Sequence, residues 1–453
     1  MVSQSRRFEL RIEKLAATLL RNKWDRFEGG PGAWQMALMQ LQRDIQKAIS
    51  TNNSGPRRSR DRELAETLKS LRWHARHLGD TLAWLVLRLD RQRIETLGEN
   101  DPVPIAQRSR DSEALLALVD NLASRGWGFP LLHDVTDCLR IGDVTFVRVD
   151  DVGDPYTTLE VKSHMVSATP TGDGETEELE YQVSLIGARE FDPDTGRHVA
   201  VSPAELKVTT PRTRADRQAL RMHQSALKMN SASTGLVTGL PQPSIAVHLE
   251  TDASSDWRMV RRLIRQAHRE GCSGEAADDT FFYAAIYQRG GLTPEGVKAF
   301  GQLESLKRWS AKEPESQGQR VIQMWDVPTQ RARFASPGLP FWLFDIPFSA
   351  RLEILRGELL FMCMTDLSRL CDALNADGHD VELRPQGNRA PQMLIRDRWT
   401  VGDRAFYING APIGTAIYKA ALEFHSAEYV LATARQMIVA ARQAAPVLHS
   451  AKR

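Results

Sequence analysis

Cysteine is scarce: Cys138, Cys272, Cys363 and Cys371 are the four in 453 residues, widely separated, with no C-x-x-C pair and no clustered histidines. That excludes a disulfide framework and a zinc ribbon, and suits a reducing cytoplasm. Long apolar runs are missing too. The longest, from Thr81 to Leu87, is far short of the roughly 20 residues that span a bilayer, so no membrane partner is expected. Arg11, Glu13 and Lys14 interrupt the N-terminal region where a secretory apolar segment would lie. Neither sign of charge dominates, the formal net charge being +2, so total charge selects no partner. Lysine is also rare. Of the 59 basic residues 47 are arginine, which suits bidentate phosphate recognition, although a codon bias towards arginine gives the same composition. Gly290-Gly291 and Gly402-Asp403 lack nucleotide-binding spacing, and G-x-S-x-G and H-E-x-x-H do not occur.

What is present is ordinary globular material, 42% hydrophobic and 26% charged, in a mixed α/β pattern long enough for two or three domains. Residues 1–100 read as a helical domain, broken at 28–32 and at the polar stretch 51–58. Leu64, Leu68, Leu71, Ala75, Leu78, Leu82, Leu85 and Leu89 recur at steps of four and three, a helix-packing seam. A homo-oligomer built through residues 61–97 is one reading. An intramolecular bundle is favoured, because Trp84, Val86 and Leu87 widen the apolar face beyond a two-stranded stripe. His74 and His77 read as surface or packing residues. Residues 101–272 form the next domain: a helix over 112–123, strands over 131–140, 144–149 and 156–163 in a meander, and an insertion at 164–211. The insertion opens on an acidic loop and contains a strand over 179–186. A basic helix over 214–230, a strand over 244–249 and a helix over 255–270 complete it. Residues 273–453 read as an α+β domain with strands over 320–325 and 405–409 and helices over 350–375 and 426–444; its Trp and Met residues, such as Met324, Trp325, Trp342, Met362 and Met364, read as core.

Chemistry concentrates in one hairpin. Residues two apart in a strand share a face, so Glu160 and Lys162 are aimed at one side while Leu159 and Val161 can face the core. Asp143 stands at the start of the preceding strand, after Gly142, and the turn-forming 150–155 returns the chain antiparallel beside it. If the register agrees, two carboxylates converge, and such a pair suits a hard divalent cation such as Mg²⁺. The metal would activate a water against a phosphodiester, with Lys162 orienting it and balancing charge.

Asp143 with Glu160-Val161-Lys162, set in a helix-three-strands-helix-strand order over 112–249, resembles the PD-(D/E)xK nuclease superfamily, the restriction-endonuclease-like αβββαβ fold. The resemblance covers about a third of the chain. It implies Asp143, Glu160 and the main-chain carbonyl of Val161 as metal ligands, Lys162 as the catalytic lysine, and an acid from the first helix, Glu113 or next Asp120. Mg²⁺ would be the cofactor, with Mn²⁺ able to replace it. The family's usual proline before the Asp is replaced by Gly142. The chain's other E-x-K triplet, Glu205-Leu206-Lys207, follows Asp194, but 192–196 has the chemistry of an exposed turn and Pro203 disfavours a central strand. Arg214, Arg217, Gln218 and Arg221 are the candidate nucleic-acid contacts, and Arg258, Arg261, Arg262, Arg265 and Arg269 form a second basic stripe; solvated faces would look the same. The expectation is a cytoplasmic DNA endonuclease of antiviral defence, with RNA still open as substrate. Two rivals stand beside it: a nuclease fold that only binds nucleic acid, and an oligomeric scaffold.

Overall fold

The computed structural model describes residues 3–21, 30–54, 61–89, 94, 128–139, 144–147, 156–170, 177–187, 189–192, 197–200, 235–237, 244–246, 255–289, 294–312, 321–326, 339–386, 389–401 and 404–450, in some strands as backbone alone. It is a mixed α/β chain of helices and small antiparallel sheets, and it divides into two compact units. Met1–Asn230 and Ala335–Trp342 make the first; Ser231–Phe334 and Leu343–Arg453 make the second.

The first unit opens with helices α1 (Gln4–Leu20), α2 (Gly30–Ser54) and α3 (Arg62–Val86), of which α3 packs on both others. Ser3 caps α1 and Asp61 caps α3, each side chain accepting from a backbone N–H three residues on. Helix α2 runs through Ser54, so residues 51–54 of the expected polar break are helical. The seam is buried from Leu68 to Leu82 within the unit, whereas Leu85 and Leu89 are exposed. His74 and His77 are buried packing residues. The Trp73 and Phe341 rings pack edge-on or tilted against them, and Trp342 Nε1 donates to the His74 carbonyl.

Strands β1 (Phe129–Leu132), β2 (Val144–Val147), β3 (Tyr156–Pro170) and β4 (Glu177–Gly187) form one antiparallel sheet in that order, the expected meander with the insertion strand added. β3 continues to Pro170, where the sequence suggested a loop from 164. The expected 131–140 strand ends early: after Leu132 the chain turns through a 3-10 helix, His133–Val135, held by the helices. β5 (Arg189–Asp192) and β6 (Arg197–Ala200) pair as a two-stranded sheet.

In the second unit, β7 (Gly235–Val237) pairs with β8 (Ser244–Ala246), the strand expected over 244–249. Helix α4 (Trp257–Glu270) leads to the sheet's edge strand β9 (Cys272–Ala276), followed by β10 (Phe281–Tyr287). Asp256 caps α4, and Gly271 ends it with φ 79°, a left-handed conformation that glycine adopts at least cost. Helices α5 (Pro294–Gly301) and α6 (Glu304–Ala311) precede strand β11 (Ile322–Asp326). Beyond the 3-10 turn Phe341–Leu343 come α7 (Phe348–Leu355), β12 (Leu359–Asp366) and α8 (Leu367–Ala376). The sheet order is β11-β12-β10-β9, all antiparallel.

The single helix expected over 350–375 is therefore corrected. Gly357, at φ 71°, ends the first helix, and 359–364 is a buried strand, its six apolar residues in a row matching a strand covered on both faces. Phe282, Ala284 and Ile286 pack with Phe300, Leu306 and Trp309 on one side of this sheet. On the other, Tyr283 and Phe361 meet Phe424. A further antiparallel sheet, β13 (Asp380–Gln386), β14 (Arg389–Val401) and β15 (Arg404–Pro412), and helices α9 (Gly414–Glu423) and α10 (Ala427–Ser450) complete the chain.

Candidate functional site

The register of the hairpin decides how its chemistry-bearing positions align. Val144 pairs with Leu159, Thr145 with Thr158, Phe146 with Thr157 and Val147 with Tyr156. Glu160 is therefore the β3 residue just past the last pair, and Asp143 precedes the first pair on β2. On its other side β3 continues: Glu160 pairs with Ile186 and Lys162 with Ser184 on β4. Glu160 thus stands where β3 outruns β2 in the described sheet while still held in the ladder by β4.

A polar line crosses the sheet two residues inside that point. His133 Nε2 lies 2.7 Å from Thr145 Oγ1, which lies 2.8 Å from Thr158 Oγ1. His133 and Thr145 are buried. Because alternate residues share a face, position 160 falls on the same side of β3 as Thr158, and position 162 follows it. The sequence did not single out His133, Thr145 or Thr158: two threonines read as strand formers, and the contact with His133 depends on a register no motif encodes.

The helices brace the segment leading to this hairpin. Gln35 closes on the edge of β1, Nε2 donating to the Pro130 carbonyl at 2.7 Å and Oε1 accepting from Leu132 N at 2.9 Å, so the side chain stands in for a neighbouring strand. Gln42 Nε2 donates to the carbonyls of Ala75 and Val135 at 3.1 and 2.9 Å. Arg76 donates to Asp137 Oδ1 at 2.8 Å, to Gln42 Oε1, and to the carbonyls of Asp134 and Thr136. Asp80 Oδ1 accepts from Asp137 N and Cys138 N at 2.6 and 2.8 Å. At Gly79 a Cβ would stand 1.8 Å from the Val135 carbonyl oxygen, so only glycine permits this approach.

Burial raises the Asp80 carboxyl to about 6, the nearby Asp137 adding to the effect, while backbone donors and Arg76 oppose it. Burial likewise raises Asp134, against Arg76 and Arg43. The 133–139 segment so held ends four residues before Asp143.

Asp143 and Gly142 lie outside the described residues, as do Glu113, Asp120, Arg214, Arg217, Gln218 and Arg221. Glu160, Val161 and Lys162 lie in β3, described by its backbone. Among the described residues no cluster of three or more His, Cys, Asp or Glu could hold a metal. Of the alternative triplet, Asp194, Glu205 and Lys207 are all outside the described residues, while the flanking strands β5 and β6 pair from Asp192↔Arg197 outward. No helix among the described residues is long and apolar enough to cross a membrane. Comparisons with protein-family models, curated proteins and solved structures found no match.

Proposed function

We propose that the chain is a metal-dependent nuclease that hydrolyses DNA phosphodiester bonds, acting as a cytoplasmic endonuclease in defence against foreign DNA and built on a restriction-endonuclease-like core. The observation that carries this reading is the β2–β3 register. Were the ladder to continue one step beyond Val144↔Leu159, position 143 would stand opposite position 160, and directly opposed residues keep their Cβ atoms about 5 Å apart on one face. Two carboxylates that close repel each other unless a cation lies between them, and an all-oxygen donor set fits a hard divalent ion.

Mg²⁺ or Mn²⁺, held by Asp143, Glu160, the Val161 carbonyl and Glu113, would supply Lewis acidity and a bound water of lowered pKa. Lys162, two residues along the same side of β3, would orient the attacking water and balance charge on the phosphate oxygens. The His133–Thr145–Thr158 hydrogen bonds stiffen the strands behind these positions, and Arg214, Arg217, Gln218 and Arg221 would hold the DNA backbone.

The test is cleavage of supercoiled plasmid by the purified chain in Mg²⁺ or Mn²⁺. Glu160→Ala and Lys162→Ala should each lower the rate by about a hundredfold or more. No cleavage of any DNA or RNA substrate by the wild-type chain, or unchanged cleavage by both variants, would sink the reading.

A further inference from the structure

Helix α4 buries one side and arms the other. Met259, Val260, Leu263, Ile264 and Ala267 are buried, and the helix packs on β9 and β10. On the outer side Arg258, Arg262, Arg265 and Arg269 recur at steps of four, three and four, which at 100° per residue confines them to a fan of about 60°. All four are exposed. They form a ridge about 16 Å long at 1.5 Å per residue. No acid interrupts it: Glu270, the helix's one acidic residue, is turned about 100° from Arg269 and is held by Gln266.

Arg262 is bound to Glu275, whereas Arg258, Arg265 and Arg269 have no ion-pair partner among the described residues. Like charges three or four apart on a helix destabilise it. The ridge therefore carries a repulsive cost that Glu275 offsets at Arg262 and that a polyanion would relieve at Arg258, Arg265 and Arg269.

The geometry points to this ridge as a docking surface for the phosphate backbone of a DNA duplex. Guanidinium groups bind phosphate oxygens in bidentate fashion, and a duplex presents about one negative charge per 1.7 Å of axis, dense enough to meet every arginine of the row. A membrane surface fits worse. A helix lying on lipid offers its apolar side to the acyl chains, and here that side is occupied by the protein's own sheet. The choice of nucleic acid over another polyanion rests on the nuclease reading, but the ridge lies in a different unit from the hairpin and is tested separately.

The experiment is fluorescence anisotropy of a labelled 20-base-pair duplex with the full chain in EDTA, over a series of salt concentrations. The triple variant Arg258→Gln, Arg265→Gln, Arg269→Gln should bind more weakly and lower the slope of log K against log salt by about 2.7, at 0.9 for each phosphate no longer neutralised. The matching triple lysine variant keeps the charge and should keep the slope, which guards against a fold defect. Unchanged affinity and slope in the glutamine variant, or equal loss in both, overturns the proposal. So does a ridge-dependent interaction with acidic peptide and none with duplex. Because EDTA removes metal, loss of duplex binding in a chain that never cleaves upholds the ridge and removes the nuclease. Cleavage with ridge-independent binding does the reverse.

Discussion

His74 shows how much a single buried side chain controls. Burial lowers its pKa from 6.5 to about 3, so the folded chain excludes a proton that the unfolded chain takes up between those values. Stability from this group is complete above pH 6.5 and is lost as pH falls towards 3. Asp80, on the same helix, has the opposite sign. Raised from 3.8 to about 6, it holds a proton that the unfolded chain has released, and so lowers stability as pH rises through that window. A comparison with His74→Phe separates the two. Between pH 7.5 and pH 5 the wild-type chain should lose about 2 kcal/mol more than the variant in urea unfolding, at about 1.4 kcal/mol per pKa unit. Equal losses would contradict the assignment. From sequence alone His74 was readable only as a surface or packing residue, because its neighbours Phe341 and Trp342 come from the far end of the chain. The site was legible in the same partial way. Asp143, Glu160 and Lys162 stood out as residue types at a spacing, but the pairing of Thr145 with Thr158 comes only from the folded hairpin.

At the scale of elements, the spacing of the α3 seam and the turn between β2 and β3 were enough to locate both, although burial extends well beyond one face: every residue from His74 to Trp84 and from Val144 to Val147 is buried. β10 and β12 are apolar without alternation, Phe281 to Ile286 being buried at every position, so no period distinguished a doubly covered strand from a helix. In the first unit Gly79 on α3 lies directly against the Val135 backbone. Gly79→Ala should destabilise the unit by about 2–3 kcal/mol, the cost of overpacking where the opposing atom is backbone and cannot rotate away. Thermal and urea unfolding would read it. An unchanged midpoint would mean that the helix and the 133–139 segment are not held in this contact.

At the scale of the molecule, the division is not sequential. Residues 335–342 belong with the first unit although the chain on both sides of them belongs to the second, and Trp342 is fully buried there. Sequence alone gave no sign of this, since a segment of apolar residues names no destination. What it did supply was a mixed α/β class and a hairpin whose polar positions can be tested directly. The central claim is that Asp143 and Glu160 together hold a divalent cation. The measurement that meets it most directly is calorimetric titration of the full chain with Mn²⁺. The account predicts one saturable site that Asp143→Asn and Glu160→Gln each abolish and that Asp194→Asn leaves intact. Absence of binding to the wild-type chain, or binding that survives Asp143→Asn, would contradict it.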